Sequence, residues 1–162
     1  MSDYHRLPRM FWGEIIYATP GSGKTYVANK YRDVIDADDL IVKAIEEEAP
    51  HFNFHNYDDP RNKISQYFQY IQFNHKKRLR IYDIAYQLMK MHCAQYDVVL
   101  LGTRDLMYRA DRVFIQKDDD IVRNGFNQDS EMIELDKHNF DNIHYIDNYL
   151  EGSLQKVCAG RL

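Results

Sequence analysis

Seven consecutive residues, Thr19-Pro20-Gly21-Ser22-Gly23-Lys24-Thr25, place two glycines, a lysine and a hydroxyl in an order suited to holding a chain of phosphates. Glycines at 21 and 23 let the backbone turn tightly and aim successive N–H groups at phosphate oxygens. The positive end of a helix starting near Lys24 adds to that field. Lys24 can reach the β- and γ-phosphates, and the Thr25 hydroxyl can complete the shell of a Mg²⁺ ion. The candidate nucleotide-binding set is therefore Pro20, Gly21, Ser22, Gly23, Lys24, Thr25 and Tyr26.

Such a loop works only between a strand and a helix, and the flanking residues predict both. Phe11 to Thr19 is apolar and β-branched and runs into Pro-Gly, the pattern of a buried strand followed by a turn. Lys24 to Arg32 carries Val27, Ala28 and Tyr31 at helical spacing. Asp33 to Asp36 reads as a second strand, followed by a helix whose face is Leu40, Ile41, Ala44 and Ile45. Pro50 to Pro60 is a loop, and Arg61 to Gln95 is a long helical pattern with a break expected near residues 75 to 78. Further strands are expected at 96–102, 112–116 and 143–146, with a helix around Met132, Ile133 and Leu135 and a terminal one over 149–157. Strands alternating with helices imply an α/β fold with a parallel sheet. Ligands of open sheets sit at the carboxyl ends of the strands, where segments 18–25, 36–39, 102–105 and 117–120 fall.

The loop fits the Walker A pattern except that Ala18 stands where the first glycine would be. Together with Val34-Ile35-Asp36-Ala37-Asp38-Asp39-Leu40 and the glycine at 102, it resembles the small P-loop kinases, the group of nucleoside monophosphate, shikimate and dephospho-coenzyme A kinases. The likeness covers about the first 40 residues closely and the rest in the order of elements. It implies a three-layer P-loop NTPase fold with a five-stranded, mostly parallel sheet in the order 2-3-1-4-5. It also implies one kinase-like domain over residues 1–162, with a helical acceptor-binding insertion at about 50–95. The implied activity is in-line transfer of the γ-phosphoryl of ATP, with Mg²⁺, to a nucleotide- or nucleoside-type acceptor. Lys24 is then one catalytic cation, Asp36 holds a Mg²⁺-bound water together with Thr25, and Asp38 takes the proton of an acceptor hydroxyl. Asp38 can instead cap the following helix, although Asp39 is the better candidate for that. With a phosphate as acceptor no base is needed, and Asp38 would only orient the sugar.

Arg104, just after the third strand, is the arginine expected to face the acceptor, while Arg109 and Arg112, three apart, can grip a phosphate together. The chain lacks the Asp-Gly-Phe-Pro-Arg segment of adenylate kinases and an arginine-rich lid; Arg123 is the single arginine near the lid position, beside Asp118, Asp119 and Asp120. Within the helical region, Lys76-Lys77-Arg78-Leu79-Arg80 is interleaved with Tyr67, Phe68, Tyr70, Phe73, Tyr82 and Tyr86. Cations among rings can seat a nucleotide or a single nucleic-acid strand, and they equally describe the charged outer face of an amphipathic helix pair. Two alternatives to a nucleotide or nucleoside kinase therefore stand. One is a kinase of a nucleic-acid hydroxyl, at a polynucleotide end or on a hydroxymethylated base. The other is a nucleotide-binding protein without phosphotransfer.

Composition sets the remaining bounds. Of 162 residues, 44% are hydrophobic and 28% charged, which excludes wholesale disorder. Lys plus Arg is 21 against 25 Asp plus Glu, a net charge of −4 that argues against a general duplex-DNA binder. Two cysteines make no disulfide scaffold, and His51 and His55 lack the further ligands of a metal site. No apolar run reaches the roughly 18–20 residues of a membrane span, and residues 1–10 do not read as a secretion signal, so a cytoplasmic protein without a membrane partner is expected.

Overall fold

Residues 6–55, 59–116, 142–146 and 149–159 are described in a computed structural model of the chain. Side chains of a strand point alternately to its two faces. In β1 (Ile15–Ala18), Ile15 and Tyr17 enter one apolar cluster while Ile16 and Ala18 enter a second. β3 (Val98–Leu101) divides the same way, with Val99 and Leu101 against Val98 and Leu100. Strands apolar on both faces must be covered on both, and they are. One cluster is closed by α2 (Ala37–Glu48), α3 (Pro60–Tyr70) and α4 (His75–Ala94). The other is closed by residues of α1 (Lys24–Lys30), α5 (Leu150–Ala159) and a short 3-10 helix at Arg9–Phe11.

The sheet is completed by β2 (Val34–Asp36), β4 (Arg112–Gln116) and β5 (Ile143–Ile146) in the order β2-β3-β1-β4-β5. Every pairing is parallel, with Ile16 beside Leu100 and Tyr17 beside Val113 in register. The architecture is thus α/β, three layers deep, with the strand order expected from the sequence. The central position of β1 carries its carboxyl end, and the glycine-rich segment after it, to the middle of one sheet edge.

Two local expectations are corrected. The first strand begins at Ile15 rather than Phe11, because residues 9–11 wind into the 3-10 helix and Gly13 turns the chain at φ +77°. The long helical pattern breaks at Ile71–Asn74, slightly ahead of 75–78. There Gln72 and Phe73 both take left-handed backbone angles (φ 53° and 54°), and Asn74 caps α4 by accepting the Lys77 amide at 3.1 Å. The expected helix around Met132 lies outside the described residues. Among the described residues, no helix is long and apolar enough to cross a membrane.

Candidate functional site

The loop after β1 is shaped by its two glycines. The Ser22 amide donates to the Thr19 carbonyl at 3.2 Å, closing a turn with Pro20 and Gly21 at its centre. Gly21 has φ +84°, so proline followed by a positive-φ glycine reproduces the residue pattern of a type II turn. Gly23, at φ +103°, is the residue before α1, and its carbonyl accepts the Val27 amide at 3.1 Å. The first amides of α1 have no acceptor within the helix. Thr19, itself buried, anchors the loop to β4: its hydroxyl accepts the Gln116 amide at 2.9 Å.

Lys24 is nearly buried, and its stem lies over Gly102 so closely that a Cβ there would stand 2.8 Å from Lys24 Cε. The ammonium ends 2.9 Å from Asp36 Oδ1 and 3.4 Å from Asp38 Oδ2. Asp36 is the last residue of β2 and also the N-cap of α2, where its Oδ1 accepts the Asp38 amide at 2.9 Å. The cap is therefore neither Asp38 nor Asp39. The helix starts directly after the strand, and only Asp36, still extended at φ −80° and ψ 123°, can return its carboxylate to that amide. Asp38 reaches Lys24 from the first turn of α2 and not by continuing an extended chain. Burial pushes the Asp38 carboxyl above its ordinary range; the Asp36 charge adds to that, while Lys24 and Arg61 pull the other way.

A cleft of about 590 Å³ opens from this centre. One wall is the loop (Pro20, Gly21, Gly23, Lys24, Thr25); the other includes Arg61, Ser65 and Phe68 of α3, Phe73 of the following turn and Tyr82 of α4. A groove of about 410 Å³ on the far side of Thr25 includes Asp36, Asp38, Asp39 and Asp59. Its Thr25 hydroxyl and aspartate oxygens, beside the Asn29 amide and the Arg61 guanidinium, suit a hard divalent cation such as Mg²⁺, which needs few protein ligands when phosphates supply the rest. A third hollow, of about 640 Å³, lies beside Gly23 between α1 and α5, flanked by the exposed rings of Tyr26 and Tyr149. The Leu150 amide donates to the Ser22 carbonyl at 2.9 Å, and Glu151 binds both Lys30 Nζ and the Tyr31 hydroxyl at 2.7 Å, so α5 is fastened to loop and helix alike.

The structure brings together Pro20, Gly21, Gly23, Lys24, Thr25, Asp36 and Asp38, and sets Tyr26 beside the adjoining hollow. Ser22 contributes backbone only: its side chain is fully buried. The expected acceptor arginines are corrected. Arg104 is exposed at the start of a 3-10 helix over Arg104–Arg109 and does not line the cleft, although Gly102 and Thr103 do. Arg109 lies 3.3 Å from Asp83 and stacks on Tyr86 with its guanidinium carbon 4.1 Å from the ring centre. Arg112 opens β4 at the amino end of the sheet, buried, with Nε 2.9 Å and its second terminal nitrogen 3.1 Å from the two Glu14 oxygens. The two do not share a helical turn, because Arg109 ends the 3-10 helix and Arg112 begins a strand. Among the described residues, Arg61 is the arginine that lines the cleft. Its position after Asp59-Pro60, an N-cap and first helical proline, marks the start of α3 but does not reveal which way that start faces. Tyr149 and Gln155, in the third hollow, carry no sequence signal of their own. Arg123 and Asp118 to Asp120 lie outside the described residues. No protein-family model matches the chain, and comparison with curated proteins finds no match.

Proposed function

We propose that the chain is an ATP- and Mg²⁺-dependent phosphotransferase of the small P-loop kinase type, moving the γ-phosphoryl group to a hydroxyl of a nucleotide- or nucleoside-type acceptor. One observation carries the reading: the Lys24 ammonium stands within 3.4 Å of both Asp36 and Asp38, where a glycine-turned loop meets an open cleft with aromatic walls. In this reading the triphosphate lies along the amides of Gly21 and residues 23–25, its base in the hollow between Tyr26 and Tyr149, and Lys24 turns from Asp38 toward the γ-phosphate. Thr25 and Asp36 would hold Mg²⁺, which neutralises charge on the β- and γ-oxygens. The acceptor enters between Arg61, Phe68 and Tyr82. Asp38, freed of Lys24, takes the hydroxyl proton as the new O–P bond forms and the bond to the β,γ-bridging oxygen breaks, with the electron pair leaving on ADP. Catalysis is mainly positioning and charge stabilisation.

The test is transfer of label from γ-labelled ATP, with Mg²⁺, to panels of mononucleotides, nucleosides and oligonucleotides. Labelled acceptor is expected, and Lys24→Ala is expected to lower turnover by at least about a hundredfold, the scale of losing one preorganised charge contact. ATP held in equilibrium dialysis with label passing to no acceptor would replace this reading with a nucleotide-binding protein.

A further inference from the structure

The cleft's outer wall has a charge unlike the rest of the chain. Residues 60–82 contain six Lys or Arg and no Asp or Glu, so against a whole-chain charge of −4 the remaining residues sum to −10. Four of those cations, Lys76, Lys77, Arg78 and Arg80, fall in the first six residues of α4, whose first turn has no acidic residue. Cations at a helix N-terminus oppose the helix dipole, so this placement does not serve the stability of α4. Arg80 is paired with Glu48 at 2.8 Å. Lys76 and Lys77 are exposed and, among the described residues, make no ion pair, and the Arg78 Nε is enclosed with no hydrogen-bond partner.

Rings accompany the charge. The tight turn before α4 holds Phe73 half out of the surface, 56% exposed, while the same ring lines the cleft; Tyr70 beside it is 70% exposed. Arg78 precedes the cleft residue Tyr82 by four positions and so shares its face of α4. Exposed rings and cations therefore continue from the cleft's aromatic wall onto the outer surface, where Glu48 pairs with Arg80 and leaves Lys76 and Lys77 unpaired among the described residues. Rings recognise base faces, which only an unstacked strand presents, and the cations match the phosphates between those bases.

We propose that the α3–α4 turn and the first turns of α4 bind a single strand of nucleic acid, one nucleotide of which enters the cleft as the phosphoryl acceptor. The second half of this proposal rests on the phosphotransferase reading above. The strand hydroxyl loses its proton to Asp38 and gains the γ-phosphoryl, and ADP departs with the electron pair. A hydroxyl at a 5′ end and one on a hydroxymethylated base share this chemistry.

The experiment uses the full chain with a fluorescent mixed-sequence single-stranded DNA, anisotropy being read across a salt series. It adds γ-labelled ATP assays with a 5′-hydroxyl strand and with a 5′-phosphorylated strand carrying hydroxymethyluracil, free nucleosides being the comparison. Binding is expected, with label entering one of the two strands. In the Lys76→Ala/Lys77→Ala variant the slope of log K against log salt should become shallower by about 1.4, roughly 0.7 per cation. Phe73→Ala should weaken binding by about fivefold to a hundredfold, the worth of one base stack. In both variants the ratio of strand to nucleoside transfer should fall. Lys24-dependent transfer to free nucleosides, with no strand binding at 50 mM salt (roughly the low-salt limit of such titrations), would overturn the inference and leave the phosphotransferase reading intact. Strand binding without transfer to any acceptor would uphold the binding surface and overturn the phosphotransferase reading. Binding to phosphatidylserine vesicles in place of the strand would overturn the inference in favour of a lipid surface.

Discussion

At the scale of single residues, the informative atom is Asp36 Oδ1, which serves two partners, the Lys24 ammonium and the Asp38 amide. One carboxylate thereby ends a strand, starts a helix and fixes the lysine that the glycine loop presents. Asp38 is left with its charge partly enclosed and its carboxyl raised by burial first and by Asp36 second. Ionised Asp38 is the active form of a base, so kcat/KM should fall as pH drops through its raised value, placing the acid limb above the ordinary carboxylate range of about 4. For stability, a raised carboxyl is neutral below its unfolded value and destabilising above its folded one, so stability declines as pH rises between the two. Asp38→Asn should accordingly melt no lower at pH 7, lose kcat by about 10²- to 10⁴-fold and lose that acid limb. A pH–rate profile and a melting curve check this, and full activity in Asp38→Asn removes it from the mechanism.

Between elements, the close approach that matters is α1 against the end of β3. The Lys24 stem crosses Gly102, where even a methyl group would stand 2.8 Å from Cε. Because the obstructed atom is the far end of a flexible side chain, Gly102→Ala should displace the ammonium and leave the packing alone. Turnover should drop about tenfold to a hundredfold, the scale of a 1 Å misplacement, with stability within about 0.5 kcal/mol of the parent. Label-transfer kinetics beside thermal melting separate the two effects; undiminished turnover would show that Lys24 tolerates the shift. The glycine itself was visible in the sequence, as the residue ending an apolar run. Its service to a lysine 78 positions earlier was not, because that contact exists only once β1 and β3 lie side by side in register.

Over the whole molecule, the two ends of the sheet differ in kind. The carboxyl ends of β1, β2 and β3 gather the loop, the carboxylates and the cleft. The amino end holds a packed ionic knot in which Arg112 binds both Glu14 oxygens, sits 3.2 Å from His144 Nε2 and lies 5.1 Å from the Phe11 ring centre. Arg112 thereby ties the lead-in to β1, β4 and β5 together. Arg112→Ala leaves Glu14 without its fork, and a loss of about 3 kcal/mol is expected, near the low end for breaking an enclosed pair because Glu14 keeps some contact with water. Turnover per folded molecule should not change. Denaturant melts with activity measured on the folded fraction test both statements, and a large loss of turnover in the stable protein would return Arg112 to the site.

The amino-acid order alone determined the local items: a loop whose glycines must take positive φ, two strands (β1 and β3) apolar at every position, and the alternation of strand and helix from which a parallel sheet follows. Each depends on neighbours a few residues apart, so spacing expresses it. Which arginine reaches the cleft, which aspartate caps α2 and where the third hollow lies were decided by tertiary structure. Arg61, Arg104, Arg109 and Arg112 look alike as letters. They differ only in the direction each helix or strand end faces after packing, and that direction is set by residues far away in the chain.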